Sequence, residues 1–267
     1  MAWGMTDLPS FSTILLERRG RLLTLTLNRP DTRNAFDLAM HDELPDALAF
    51  ARDDAQSDVI VLTGAGRAFS AGGDLDHIAR NAAEPVRFDH EIAQARRIVL
   101  TLLEIAKPVV CRLNGHAVGL GATLALFCDI VIGADSAKIG DPHVGIGLVA
   151  GDGGAIIWPQ LVGLARAKEF LLTGELLPAS RAADIGLINH AVPPEALDEA
   201  VEACCRKLLG GAQQAVRHTK ALLQVELRRV TTALLDQGLA WEAETVRSAD
   251  HREAIAALRE KRPPQFG

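Results

Sequence analysis

Three stretches of this sequence set main-chain amides or titratable side chains in patterns that could do chemistry. The first is Gly119-Leu120-Gly121, where a β-rich run ends and an apolar helical run begins. The first N–H groups of a helix have no acceptor inside it, and the helix dipole makes that end favourable to negative charge. Flanking glycines let a ligand come close to the backbone. Such a turn can hold an oxyanion, an effect of roughly 3–4 kcal/mol per donor. Taken alone, the same turn is also what tight packing of a helix on a strand requires. The second stretch, Ala71-Gly72-Gly73-Asp74-Leu75, follows another short apolar run. The third, residues 140–154, carries Asp141, His143 and Asp152. His143, with an ordinary pKa near 6.5, is a candidate base. Asp152 is a candidate proton carrier, or the N-cap of a helix expected from Ala155. Thr123 can hydrogen-bond but cannot take a proton at neutral pH. His116 reads as a packed or surface histidine. The chain has no tyrosine, which excludes that residue as a proton donor.

The elements around these stretches alternate. Residues 12–28 read as a β-hairpin around a turn-like Arg-Arg-Gly. Residues 38–52 have the apolar spacing of a helix. Residues 58–63 form a short buried strand ahead of Gly-rich sequence, and residues 89–105 read as a helix. A second buried strand from Lys107 leads into the Gly119 turn, and a third spans 129–135. From Ser180 onward the sequence reads as almost wholly helical. Strand, Gly-rich loop and helix, repeated, predict an α/β chain with its active loops at strand ends. We expect a core over residues 1–195 and a helical C-terminal region over 196–267. No fixed-period repeat or low-complexity segment is present.

Composition narrows the classes. The 267 residues are 48% hydrophobic and 23% charged, with a formal net charge of −6. That is too apolar for disorder, and no dense Lys/Arg run marks a nucleic-acid partner. The N-terminus has neither the basic and apolar pattern of a secretory signal nor the arginines of a transit peptide. The longest apolar stretch, residues 117–128, is too short to span a bilayer. Cys111, Cys128, Cys204 and Cys205 form no C-x-x-C pair and read as reduced thiols of a cytoplasmic protein. His90 does not open an H-E-x-x-H motif, and there is no P-loop. There is no G-x-S-x-G elbow, and Gly64-Ala65-Gly66 lacks the third glycine of a dinucleotide site.

In combination the motifs are more specific. Residues Ala68-Phe69-Ser70-Ala71-Gly72-Gly73-Asp74-Leu75 resemble one oxyanion loop of the crotonase (enoyl-CoA hydratase/isomerase) superfamily. Lys107-Pro108 through Asn114-Gly115-His116-Ala117-Val118-Gly119-Leu120-Gly121 resemble the other, with Cys128-Asp129 following at the family spacing. Arg29-Pro30 with Asn34-Ala35-Phe36, and Glu260-Lys261-Arg262-Pro263-Pro264-Gln265-Phe266, match the family's terminal signatures. The resemblance runs from about residue 12 to 266. It implies a spiral of ββα units with a helical C-terminal region used for trimerisation, in a homotrimer or hexamer. It implies an acyl-CoA substrate, with coenzyme A as part of that substrate and no metal or redox cofactor. The N–H groups of Gly73 and Leu120 would hold the thioester oxygen, and the adenine part of CoA would lie near Arg29, Ala35, Ala71, Asp74 and Leu75.

The chain also departs from the hydratase pattern. That pattern has one glutamate where Thr123 stands, and a second where His143 stands. With both gone, Asp152 and His143 are the remaining acid–base candidates, Asp152 falling where some family members place a catalytic aspartate. Asp141 is a weaker candidate. One carboxylate beside an oxyanion hole suits double-bond isomerisation, and decarboxylation or thioester hydrolysis are alternatives. Hydration stays open if Asp152 and His143 jointly position water, and a nucleophilic aspartate is a further reading. A catalytically silent CoA-binding protein is the reading from another class. Residues 78–97, expected to shape the acyl pocket, show no legible chemical pattern.

Overall fold

The structure, a computed structural model, describes residues 8–267. The opening residues 1–7, where the sequence shows no leader pattern, lie outside the described residues. Strands β1 (Ile14–Arg19) and β2 (Leu22–Leu27) form the expected antiparallel hairpin. In β2 the alternation Leu-Leu-Thr-Leu-Thr-Leu buries Leu23, Leu25 and Leu27 on one face, the period-2 signature of a half-buried strand. The Asp37 side chain then accepts from the Met40 N–H and caps α1 (Leu38–Asp53).

From there each turn of the chain gives one strand to each of two sheets. Strands β3 (Val59–Gly64), β5 (Val109–Leu113) and β7 (Ile130–Ala134) extend the hairpin in parallel. Strands β4 (Ala68–Ser70), β6 (His116–Val118) and β8 (Lys138–Gly140) lie parallel in a second, smaller sheet, closed by β9 (Leu177–Pro178). Helices fill the crossovers: α2 (Leu75–Ala83), α3 (Phe88–Glu104), α4 (Leu120–Leu126), then α5 (Gly154–Thr173), interrupted at Gly163, and α6 (Ala179–Asp184). This is the expected α/β spiral. Every residue of β3 is buried, as sheets covered on both faces require.

The chain after Ser180 is mostly helical, and the strand that the sequence did not show is β10 (His190–Val192), a sixth, parallel strand beside β7. Three residues are too few to show a period, so pairing with β7 decides the conformation. Beyond it come α7 (Leu197–Leu209), α8 (Gln213–Leu223), α9 (Val225–Thr245) and α10 (Ala249–Glu260). Helix α9 folds back on α3 and α5 and contributes Leu235 and Leu239 to the main core. Its approach is set by glycine on both sides. A Cβ on Gly151 would lie 2.2 Å from the Gly238 carbonyl oxygen, and one on Gly238 would lie 2.9 Å from the Gly151 oxygen. One helical turn past Gly238 stands Glu242.

Candidate active site

Because β4, β6 and β8 lie side by side and parallel, the loops leaving their carboxyl ends are neighbours, with strands roughly 4.8 Å apart. Gly73 follows β4, Leu120 begins α4 just after β6, and His143 follows β8. All three line one cavity of ≈ 260 Å³, together with Asp152 and Glu242.

Two amides at these strand ends, those of Gly73 and Leu120, make no hydrogen bond among the described residues. Phe36 and Gly73 form an isolated parallel bridge. It uses the Phe36 N–H on the Gly72 carbonyl (2.8 Å) and the Asp74 N–H on the Phe36 carbonyl (2.9 Å). The Gly73 N–H is left out of that ladder. Leu120 is the first residue of α4, so its N–H has no acceptor inside the helix. Its N-cap, Gly119, has φ 55° and ψ −125°, a conformation that only glycine adopts readily. The Gly119 N–H itself bonds to the Gly140 carbonyl at 3.0 Å, tying the β6 loop to β8.

Asp141 is fully buried, and its Oδ1 accepts from His143 Nδ1. The imidazole therefore spends Nδ1 on Asp141 and offers Nε2 to the other acids. Nε2 lies 3.8 Å from Asp152 Oδ2 and 4.0 Å from Glu242 Oε1. Thr123 Oγ1 donates to Asp152 Oδ1 at 3.2 Å. The N-cap of α5 is Gly153, not Asp152, although Asp152 also accepts the Gly154 N–H. Sequence reasoning thus pointed to His143, Asp152 and Asp141, which come together here, and missed Glu242. The one signal for it is its place on the buried stripe Thr231, Leu235, Leu239, Glu242 of α9.

Burial drives the protonation of this cluster. It raises Glu242 well above the usual carboxylate range, with the nearby Asp152 charge adding to the effect. It raises Asp152 less, because His143, Thr123 and the Gly154 N–H favour the ionised form. Burial alone would lower His143, but Asp141, Asp152 and Glu242 together carry it well above 6.5. All three groups are thereby shifted toward their protonated forms.

The stability consequence has one sign. For all three groups the folded pKa exceeds the unfolded one. Their stabilisation is full below the unfolded values, about 4 for the acids and 6.5 for histidine, and is lost as pH rises through the folded values. We expect the thermal midpoint of Glu242→Gln to gain on the wild type as pH climbs from about 5 to 9. Its limit is about 1.4 kcal/mol per pH unit for one proton. Thermal scans at a series of pH values check it, and parallel curves for the two proteins would contradict it.

The residues expected around CoA divide into two sets. Ala71 and Leu75 line the cavity, Leu75 with 62% of its surface exposed. Arg29, Ala35 and Asp74 form a cluster beside it. The Arg29 guanidinium donates to the Ala35 carbonyl and pairs with Asp37 at 3.0 Å and Asp74 at 3.4 Å. Asp74 also caps α2, accepting from the Asp76 and His77 N–H groups. His116 is exposed on β6 and accepts the Lys138 N–H at 2.9 Å. The four cysteines are free thiols.

Among the described residues, two groups bring three potential ligand atoms within 4.8 Å of one another: Asp141, His143, Asp152 and His41, His77, Glu91. Each already holds an internal histidine–carboxylate hydrogen bond, His143 to Asp141 and His77 to Glu91. Among the described residues no helix is long and apolar enough to cross a membrane.

Comparison with known proteins agrees in fold and length. A family model described as enoyl-CoA hydratase/isomerase matches residues 17–267. A crotonyl-CoA hydratase of Syntrophomonas wolfei is 34% identical over 96% of this chain and 98% of its own length. A 1,2-epoxyphenylacetyl-CoA isomerase of Escherichia coli is 36% identical over 92% of this chain and 94% of its own. The crystal structure of an enoyl-CoA hydratase/isomerase from Mycobacterium paratuberculosis superposes with a TM-score of 0.87. It is 40% identical, covering 94% of this chain and 99% of that one.

Proposed function

Because the chain belongs to the enoyl-CoA hydratase/isomerase family of the crotonase superfamily, we propose that it hydrates an enoyl-CoA. The thioester oxygen sits on the N–H groups of Gly73 and Leu120. A thioester carbonyl acidifies its α-carbon, and the enolate formed there needs donors that do not reorganise. Main-chain amides at the ends of two paired strands meet that need, whatever side chains surround them.

The acids divide by environment, since groups whose pKa values are pushed apart take opposite roles. Asp152, raised less than Glu242 because His143, Thr123 and the Gly154 N–H favour its ionised form, takes a proton from water as the water oxygen bonds to the β-carbon. The π electrons move onto the thioester oxygen. Glu242, held protonated, delivers its proton to the α-carbon. Asp152 then carries the proton that Glu242 lacks. His143, with Nε2 3.8 Å from one and 4.0 Å from the other, passes it across. The observation that carries the reading is this histidine within reach of two carboxylates, in the cavity that Gly73 and Leu120 also line. Asp152 and Glu242 thereby stand in for the two glutamates absent at Thr123 and His143.

Isomerisation is the second reading, favoured by the resemblance to the epoxyphenylacetyl-CoA isomerase, and on an enoyl thioester it would move the double bond. It uses the same enolate without water. Mass spectrometry of the thioester product separates the outcomes. With crotonyl-CoA we expect a gain of one water. An unchanged mass with a moved double bond would assign isomerisation. Free coenzyme A would assign hydrolysis, and loss of carbon dioxide from a carboxylated thioester would assign decarboxylation. Binding without turnover of any acyl-CoA would assign a silent role. For the rest of the substrate, Ala71 and Leu75 would contact the CoA adenine, with Arg29, Ala35 and Asp74 holding that loop from behind. A homotrimer or hexamer fits the exposed Leu164, Leu172, Leu222 and Leu223.

A further inference from the structure

The cavity has a second polar cluster, which the proposed hydration does not use. His41 on α1, His77 and Asn81 on α2 and Glu91 on α3 all line it. All four are buried, and Asn81 is only 2% exposed. Apolar side chains such as Phe36, Ile78, Ile92 and Ala95 surround them. Polar groups placed in such a wall cost free energy unless each has a partner, so their open valences indicate what they take.

The hydrogen bonds fix those valences. His77 Nε2 meets Glu91 Oε1 at 2.6 Å, and Asn81 Nδ2 donates to the same oxygen at 2.8 Å. That donation fixes the orientation of the amide, since the reverse flip would set two acceptors against each other. Asn81 Oδ1 is then turned away from Glu91 and has no hydrogen-bond partner among the described residues. His41 Nδ1 lies 2.9 Å from the Asp37 carbonyl, which can only accept, so Nδ1 carries the hydrogen. Burial lowers the His41 pKa and favours the neutral ring. Its Nε2 is therefore a lone-pair acceptor. The cluster has acceptors to spare and a carboxylate behind them. Its complement is a neutral group that donates a hydrogen bond. A second carboxylate brought here would meet the carboxylate of Glu91.

We infer that this end of the cavity is a subsite for a hydroxyl group carried on the acyl chain, accepted by His41 Nε2 and Asn81 Oδ1. The inference rests on the acyl-CoA reading, because that reading puts an acyl chain in this cavity. It adds the substrate class: hydroxylated acyl thioesters, with unsubstituted and carboxylated chains discriminated against. A site that hydrogen-bonds a substrate hydroxyl discriminates strongly against the analogue lacking it, because its own buried groups are then left unpaired.

The test is titration calorimetry of the full chain, in EDTA, with saturated acyl-CoA thioesters. Each chain length is offered with a plain, a hydroxyl-bearing and a carboxyl-bearing end. We expect one length at which the hydroxyl form binds at least about tenfold more tightly than the plain form. The carboxyl form should bind more weakly than either. Asn81→Leu and His41→Phe should each remove the hydroxyl preference while keeping affinity for the plain chain. The His41 change, which preserves an aromatic ring against Phe36, keeps the test open if the Asn81 variant does not fold. Equal binding of plain and hydroxyl forms at every length would overturn the subsite and leave the acyl-CoA reading standing. So would preference for the carboxyl form, or hydroxyl preference surviving in the variants. A preference that exists only with added divalent metal would assign the cluster to a cation and overturn it too. Failure of every thioester to bind would remove the acyl-CoA reading, and this inference with it.

Discussion

Glu242→Gln is expected to lower kcat by about 10²–10⁴-fold, the usual contribution of a positioned general acid, with KM little changed. Glutamine keeps the size and the hydrogen-bonding capacity of the side chain. It removes only the transferable proton. The α9 backbone that delivers the residue is fixed by the Gly151–Gly238 contact, so the substitution leaves the framework in place. Burial already favours the neutral acid at this position, so the folded variant should be at least as stable as the wild type at neutral pH. Asp152→Asn should show a loss of similar size. The double variant should lose little more than either alone, because both act in one proton cycle through His143. Steady-state rates with a hydrated enoyl-CoA decide it. A Glu242→Gln enzyme with unchanged kcat would move the acid to another group.

Leu120→Pro is expected to cost about 10²–10³-fold in kcat, the effect of removing one oxyanion donor. The substitution deletes the N–H itself, which no side-chain exchange at Leu120 would do. Position 120 is the first residue of α4. There a proline ring is pre-organised for the helix, and the deleted N–H makes no intrahelical bond. Gly119 ahead of it has no Cβ to meet the proline ring. Losing part of the buried Leu120 side chain should lower stability by about 1–3 kcal/mol, so circular dichroism and binding of free coenzyme A serve as controls. A folded variant that binds coenzyme A and turns over at the wild-type rate would show that the Leu120 N–H does not face the developing charge.

Much of this arrangement is legible in the sequence because it is local. The turns at Gly72-Gly73 and Gly119-Leu120-Gly121 announce themselves by glycine at strand ends, and the α/β alternation follows from short buried runs between them. Asp141, His143 and Asp152 lie within twelve residues and share one loop region. The rest depends on distant contacts. Strand β10 is three residues long and exists by pairing with β7. Glu242 is separated from His143 by about a hundred residues and reaches it only because α9 folds back on α5. Its one local mark is a carboxylate on a buried helical stripe. His77 and Asn81 are one helical turn apart on α2, a spacing that puts both on one face. Nothing in that segment, however, shows that the face meets Glu91 of α3 and His41 of α1.

The most direct measurement is the carbonyl stretch of a saturated acyl-CoA labelled with carbon-13 at the thioester carbon, recorded by infrared difference spectroscopy on the bound complex. Two amides converging on the oxygen polarise the C=O bond. The bound band should therefore move to clearly lower frequency than in water, and should recover about half of that shift in Leu120→Pro. A bound band at or above its position in water would contradict the two-amide site, and the enolate chemistry built on it would fall.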